Sequence, residues 1–235
     1  MDYCDYCDAH IIANTDELVI LVDRVDDRNS VYWSFDEPKN FLSCIECISG
    51  SITMDFVPKT LVDELIAHRF SIYAEYIDYF NNNLSETAKH IDHNSAIESI
   101  NHEDKYALEQ MSSLCVEQTR GFRYELVDWY KNWAKENCIL AIRRGSEIVG
   151  YCCVSIYAGN TIVWVRRLAV SPQWQGKGIG EALLKQAMAY GIKNGASRAF
   201  LHVDSSNKAA ISLYSKYGFC AVDREGQIIM QKNTS

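Results

Sequence analysis

Gln175-Gly176-Lys177-Gly178-Ile179-Gly180 lies between an apolar run, Ile162 to Val170, and an amphipathic one, Glu181 to Tyr190. The order reads as a strand, a glycine-rich turn and the start of a helix. Glycines at 176, 178 and 180 remove Cβ atoms where the backbone must curve tightly and bring consecutive N–H groups to a helix entrance. The helix dipole and those N–H groups together favour an anion, and a phosphate or pyrophosphate is the natural guest.

Two nucleotide loops are excluded by spacing. A Walker loop places Gly-Lys-Ser/Thr after a glycine and four residues, whereas Lys177 here precedes Gly178 and no hydroxyl follows. The dinucleotide fingerprint G-x-G-x-x-G fails because residues 176 to 181 read Gly-Lys-Gly-Ile-Gly-Glu. The pattern Q/R-x-x-G-x-G/A does fit. It is preceded by Arg167-Leu168-Ala169-Val170-Ser171-Pro172 and followed by Asn207 and Leu213-Tyr214-Ser215-Lys216-Tyr217-Gly218-Phe219. This succession resembles the GNAT superfamily of acyl-CoA-dependent N-acyltransferases, whose members show these four elements in this order.

Composition bounds the rest. A chain of 235 residues accommodates one sizeable domain and a smaller one. With 48% hydrophobic residues and three prolines, long disorder is not expected. No run approaches the ~18 apolar residues of a membrane span. Met1-Asp2-Tyr3-Cys4-Asp5 carries neither a basic region nor an apolar run, so no secretory signal is expected and the reading is cytoplasmic. A formal charge of −8 argues against nucleic acid and for a cationic acceptor such as an amine. CoA is itself an anion and must be met by local cations and N–H groups.

The second sequence feature is a pair of Cys-x-x-Cys knuckles, Cys4/Cys7 and Cys44/Cys47. Four thiolates suit a tetrahedral structural Zn²⁺. The strand-like text between them, Leu18 to Val22 and Val31 to Phe35, suggests a zinc-ribbon-like β module over residues 1–57 that needs the metal as a staple. Free thiols and a redox dithiol are the alternatives. From Pro58 to about His93, the spacing of Leu61, Leu65, Ile72, Tyr76, Ile77 and Phe80 predicts one long helix, so residues 58–94 read as a helical linker whose aromatic stripe packs on a neighbouring domain or a second subunit. A homodimer is therefore open. His68, His90, His93 and His102 show no metal-binding pair spacing.

Residues 95–235 read as an α/β (α+β) domain. A strand at Ala96 to Ile100 precedes helices near His102 to Gln118 and Phe122 to Glu136; strands Cys138 to Arg143 and Glu147 to Ile156 form a hairpin across Arg144-Gly145-Ser146. The strand Ile162 to Val170, the glycine-loop helix, the strand Arg198 to Val203, a helix from Lys208 to Tyr217 and a hairpin of Cys220 to Asp223 with Gln227 to Gln231 follow. The resemblance implies that these form a mixed, mainly antiparallel sheet flanked by helices.

The resemblance also implies roles. Leu168, Ala169 and Val170 match the strand end whose main chain pairs with the pantetheine arm of acetyl-CoA. Gln175, Gly176, Lys177, Gly178, Ile179 and Gly180, with Glu181, match the pyrophosphate loop, and Asn207 matches a contact to the CoA arm. Asn207 reads equally as a helix N-cap. Tyr214 matches the tyrosine beside the thioester sulfur, where a phenol can protonate the leaving thiolate. Its other reading is a core aromatic. No carboxylate occupies the strand around Trp164-Val165-Arg166-Arg167, which puts a direct carboxylate base in doubt. His202 and Asp204 alternate on the next strand; they could line the cleft and act through a water, but exposed polar strand positions are the preferred reading. Cys152 and Cys153 read as core.

The resemblance implies an N-acetyltransferase moving acetyl from acetyl-CoA to a primary amine of a small molecule or protein. The alternative is a non-catalytic CoA-binding domain that recruits a partner through the zinc module.

Overall fold

Alternating apolar residues build the first strands: Leu18, Ile20 and Val22 recur at the period of a strand and are all buried on one face. The computed structural model describes residues 10–25, 28–36, 38–88, 96–118, 127–222 and 227–233. It divides into two compact units, residues 1–76 with 225–235, and residues 77–224.

In the first unit, β1 (His10–Asn14), β2 (Leu18–Val25) and β3 (Arg28–Phe35) form an antiparallel meander. Helix α1 (Pro38–Glu46) crosses to β4 (Ser51–Val57), which runs parallel to β3. Helix α2 (Lys59–Ala67) leads to β5 (Ser71–Asn81), whose first half belongs here. The C-terminal strand of the chain, Gln227–Lys232, enters between β4 and β5 and is antiparallel to both. Ile20, Val22, Val31, Phe41, Ile45, Leu61, Leu65 and Met230 close a core of their own.

Two expectations fail in this unit. The long helix expected from Pro58 to about His93 is a nine-residue helix, a turn and an eleven-residue strand. Three-to-four spacing ran by accident across all three elements. Within 71–81, burial instead alternates over most of the length, and Ile72, Tyr73, Tyr76, Ile77, Tyr79 and Phe80 supply the aromatic and β-branched content of a strand. The compact units accordingly do not follow the expected division at residues 57 and 94. The unit also has an apolar core, so the reasoning that it needs a metal staple loses its basis.

The second unit begins with the last residues of β5, then α3 (Leu84–Ala88), β6 (Ile97–Ser99), α4 (Lys105–Gln118) and α5 (Val127–Glu136). Next come β7 (Cys138–Arg144), β8 (Glu147–Tyr157), β9 (Ile162–Val170), α6 (Ile179–Lys193), β10 (Arg198–Asp204), α7 (Lys208–Lys216) and β11 (Cys220–Ala221); the C-terminal strand already described is β12. Strands β6 to β9 are antiparallel neighbours and β10 is parallel to β9. One face carries α6 and α7 over Leu140, Cys152, Val154, Val163 and Val165. The other carries α4 and α5 over Ile139, Ala141, Tyr151 and Cys153. The expected C-terminal hairpin is replaced: β11 pairs with Tyr79 and Phe80 of β5, while β12 pairs in the first unit.

The two units repeat one order of elements. An antiparallel three-strand meander, a helix, a parallel strand, a helix and a further strand occur as β1-β2-β3-α1-β4-α2-β5 and again as β7-β8-β9-α6-β10-α7-β11. The turn that follows the meander distinguishes them. In the second unit it holds the glycine loop, whereas Asp36-Glu37 before α1 is short, acidic and free of glycine.

Candidate active site

Strands β9 and β10 pair from Ile162 and Arg198 up to Val165 and Leu201, and no paired rung of the two strands follows. On its other edge β9 stays paired with β8 as far as Val170, interrupted by a bulge: Cys153 lies opposite Arg167 and Val154 opposite Val165, so Arg166 is the extra residue. The bulge bends β9 away at the point where pairing with β10 stops. A fork opens there, leaving the Leu168 to Val170 stretch of β9 as an edge without a β10 rung. Such an edge accepts an extended, amide-bearing guest as an added strand. Leu168, Ala169 and Val170 lie on it.

The glycine loop stands at the outer end of the same edge. A single 3₁₀ turn, Pro172–Trp174, is tied to β8 by Ser171 N–H donating to the Val149 carbonyl at 2.9 Å, and Gln175 Nε2 donates to the Val170 carbonyl at 3.0 Å. Gly176 and Gly178 then adopt φ values of 71° and 79°, where a Cβ would strain the backbone. Gly178 is the N-cap of α6 and supplies no side chain to it. The cap's carbonyl accepts from Ala182 N–H at 2.9 Å, so the N–H groups before Ala182 face the entrance outside the helical ladder. Lys177 places its ammonium 4.5 Å from the Trp174 ring centre, and Arg144 its guanidinium 5.7 Å from it. The rim of the loop is cationic.

Glu181 does not face the loop as an anion ligand. Its carboxylate accepts from the Tyr217 hydroxyl and from Lys216 Nζ at 2.9 Å, and lies 3.9 Å from Lys185. These partners hold the Glu181 carboxyl below its ordinary range, with the Tyr217 bond first among them. Burial and the Glu181 carboxylate push the Tyr217 phenol up to about 12. The network staples α7 to the first turn of α6, so Glu181 serves the loop by fixing its helix.

Asn207 is the N-cap of α7, its side chain accepting from Ala210 N–H at 3.0 Å. Asp204 builds the preceding turn by accepting from Ser206 N–H and Oγ at 2.8 and 2.6 Å. Tyr214 is buried on the inner face of α7, its ring centre 6.0 Å from that of Phe219. Burial, and secondarily the neighbouring Cys152, push its phenol well above the ordinary range. Cys152 and Cys153 are fully buried, and burial likewise raises the Cys152 thiol, as expected of core side chains.

On the opposite sheet face, at the base of the fork, a cleft of about 510 Å³ is lined by Trp133, Asn137, Ser155, Tyr157, Trp164, Phe200 and His202, among others. Trp164 and Phe200 form the next-to-last paired rung before the fork opens, and His202 is the first position of β10 on this face beyond the last. His202 Nδ1 lies 2.5 Å from Asp78 Oδ1, and the two side chains are only 18% and 11% exposed. The bulged Arg166 rests on three indoles, with ring centres 4.9 Å (Trp129), 5.3 Å (Trp133) and 5.0 Å (Trp164) away. The indole N–H groups of Trp133 and Trp164 are buried without a hydrogen-bond partner. Sequence reasoning set His202 aside as an exposed strand residue and missed Asp78 and Arg166. Asp78 sat inside the segment misread as helix.

The cysteine knuckles are not brought together within the described residues. Cys4 and Cys7 lie outside them. Cys44 is half-buried on α1 against the first unit's core, and the exposed Cys47 directs its thiol at the Ser43 carbonyl, 3.5 Å away. Among the described residues no cluster of three or more His, Cys, Asp or Glu side chains could hold a metal, and no helix is long and apolar enough to cross a membrane.

The fork, the bulge and the glycine loop agree with a comparison by family model: residues 104–219 match that of the acetyltransferase (GNAT) family. Over this segment, just under half of the chain, the protein is similar to the GNAT family. Among curated proteins, the chain is 35% identical over 91 residues to a mycothiol acetyltransferase of Renibacterium salmoninarum, covering 37% of this chain and 27% of that protein. It is 30% identical over 92 residues to a streptothricin acetyltransferase of Streptomyces lavendulae, covering 38% and 49%. The chain thus spans half or less of the length of these curated relatives. In fold, a GCN5-related N-acetyltransferase from Sphaerobacter thermophilus superposes with a TM-score of 0.62 at 15% identity, covering 92% of this chain and 76% of that one. A tandem GNAT protein from the clavulanic acid biosynthesis pathway gives 0.60 at 10% identity, covering 92% and 78%. Likeness to a tandem GNAT fold over nearly the whole chain accords with the repeated element order.

Proposed function

We propose that the protein is an acetyl-CoA-dependent N-acetyltransferase that moves an acetyl group directly to the primary amine of a small molecule. The observation that carries this reading is the Leu168 to Val170 stretch of β9, which has no rung with β10 and runs inward from the glycine loop. Pyrophosphate at the entrance of α6, with Lys177 at the rim, anchors the donor. The pantetheine arm pairs with Leu168 to Val170 and delivers the thioester towards Arg166 and His202. The kind of small molecule is suggested by the relatives, whose names refer to mycothiol and streptothricin.

In direct transfer, the neutral amine attacks the thioester carbonyl, a C–N bond forms, and the C–S bond of the tetrahedral adduct breaks. Tyr214 protonates the departing thiolate. The phenol is protonated at neutral pH and has a proton to donate; burial raises it and so weakens it as an acid, which leaves the role resting on its position beside the departing sulfur. The test is acetyl transfer over a panel of amines, with Tyr214→Phe measured beside the parent protein. The expected result is turnover by the parent and a fall in kcat of about tenfold or more in the variant, with the KM for acetyl-CoA little changed. Acetyl-CoA binding with no amine acetylated would instead favour a non-catalytic binder.

A further inference from the structure

We propose that the aromatic cleft at the base of the fork is the acceptor subsite, that it takes a primary amine carried on a flat, apolar body, and that His202, held by Asp78, removes the ammonium proton. The proposal rests on the acetyltransferase reading above and adds to it the acceptor's chemistry and the base.

Position is the first argument. The thioester end of a donor laid along β9 arrives where pairing with β10 ends, after Val165 and Leu201. Trp164 and Phe200 stand one rung before that point, and His202 one residue past it on the same face. An amine in the cleft therefore sits across the fork from the incoming carbonyl.

The walls are the second. Trp133, Tyr157, Trp164 and Phe200 present aromatic surface, and polar atoms come only from Asn137, Ser155 and His202 among the lining side chains apart from the indole and phenol groups. The rings are locked against one another: Trp164 meets Trp133, Tyr157 and His202 edge-on at 6.4, 6.4 and 6.0 Å, and Phe200 meets His202 at 4.6 Å. Preordered aromatic faces recognise a flat apolar body by burial and an ammonium by its attraction to the ring quadrupole. Among the described residues, no carboxylate lines the cleft to select a polycation.

The third is the histidine. Its Nδ1 faces the Asp78 carboxylate, which places the proton of the neutral ring on Nδ1 and the lone pair on Nε2. The charged and titratable groups around the ring are Asp78 on β5, Arg166 on β9 beyond Trp164, Asp204 on its own strand, and Tyr157 on β8; α5 and its C-terminal neighbour contribute Trp133 and Asn137. Histidine takes one proton from the ammonium and returns it to solvent. The amine nitrogen then forms the C–N bond, its second proton passes by way of Tyr214 to the thiolate released from the C–S bond, and amide plus CoA thiol result. His202 is the catalytic residue here and Asp78 a positioning residue.

The experiment compares phenethylamine and tryptamine with spermidine and glucosamine as acceptors, using the full chain and its His202→Gln, Asp78→Asn and Trp164→Phe variants, with acetyl-CoA binding titrated directly for each. The expected outcome is a higher kcat/KM for the aryl amines, lowered several-fold by Trp164→Phe. His202→Gln should lower kcat by about 10²–10⁴ and remove the acid limb of the pH–rate profile, which loss of structure alone would not do. Asp78→Asn should lower kcat while leaving the acetyl-CoA Kd unchanged. Preference for spermidine or glucosamine, or an acid limb retained in His202→Gln, overturns the proposal while leaving acetyl transfer standing. Failure of every amine with intact acetyl-CoA binding overturns the acetyltransferase reading itself, and this inference with it.

Discussion

Replacing Gly150 by alanine tests how the donor site is held. An alanine Cβ at this position of β8 would lie 2.8 Å from Ile179 Cγ2, 3.2 Å from the Ala169 carbonyl oxygen and 3.2 Å from Leu183 Cδ1. Carbon atoms pack best at about 3.5–4.0 Å, so the first contact is short by roughly 1 Å. Ile179 is β-branched and opens α6 directly after the Gly178 cap, so its methyl yields only if the first turn of the helix moves. Ala169 belongs to the unpaired edge. The added methyl therefore pushes on both walls of the donor site. Overpacking of this kind costs about 1–3 kcal/mol, which for a chain of this size lowers Tm by about 2–12 °C. Gly191→Ala is the control. Its Cβ would lie 2.6 Å from Val163 Cβ and Cγ1, three turns along the same helix and before the fork. Part of that clash is offset by about 1 kcal/mol of helix propensity. Thermal unfolding should show both variants destabilised, while calorimetric titration should show acetyl-CoA weakened about tenfold in Gly150→Ala only. An unchanged Tm and Kd in Gly150→Ala, or equal weakening in Gly191→Ala, would refute the reasoning.

Asp55 on β4 has a buried Oδ1 without a partner, and burial pushes its carboxyl up from 3.8 to about 6. Because the folded state holds that proton more tightly than the unfolded chain, this group's contribution is present below pH ~4 and is lost as pH rises through 6, by at most about 3 kcal/mol since the residue keeps some solvent contact. Urea unfolding across pH 4–7 should show that slope in the parent and a flatter one in Asp55→Asn; identical slopes would exclude a buried carboxyl there. The apolar core of the first unit predicts that treatment with a chelator leaves Tm unchanged, and a fall restored by Zn²⁺ would return the four-cysteine site to the account.

Local patterns were legible where the elements that use them are contiguous. Ile162 to Val170 was read with the bounds that β9 has, and the β7–β8 hairpin was marked by Gly145 at a φ of 64°. The glycine loop was legible as a turn into a helix because backbone freedom, N–H supply and helix start all fall within a few residues. Strand β5 was illegible for the opposite reason. Its partners are β12, β10 and β11, all more than a hundred residues away, and no local signal distinguishes Tyr76 facing Gln227 from Tyr76 on a helix. That single misreading also hid the base of the site, since the Asp78 carboxylate that holds His202 comes from the same strand. The bulge at Arg166 was equally silent, because a bulge is a property of two strands in register.

Single turnover followed by mass spectrometry tests the central claim most directly. With isotope-labelled acetyl-CoA and an acetylatable amine, the account predicts that the label moves to the amine nitrogen while the protein's intact mass stays constant throughout, because the fork presents the thioester to the amine and the cysteines beside it are buried in the core. Label appearing on the protein before the amine, or acetyl-CoA bound and never discharged to any amine, would contradict direct transfer across the fork.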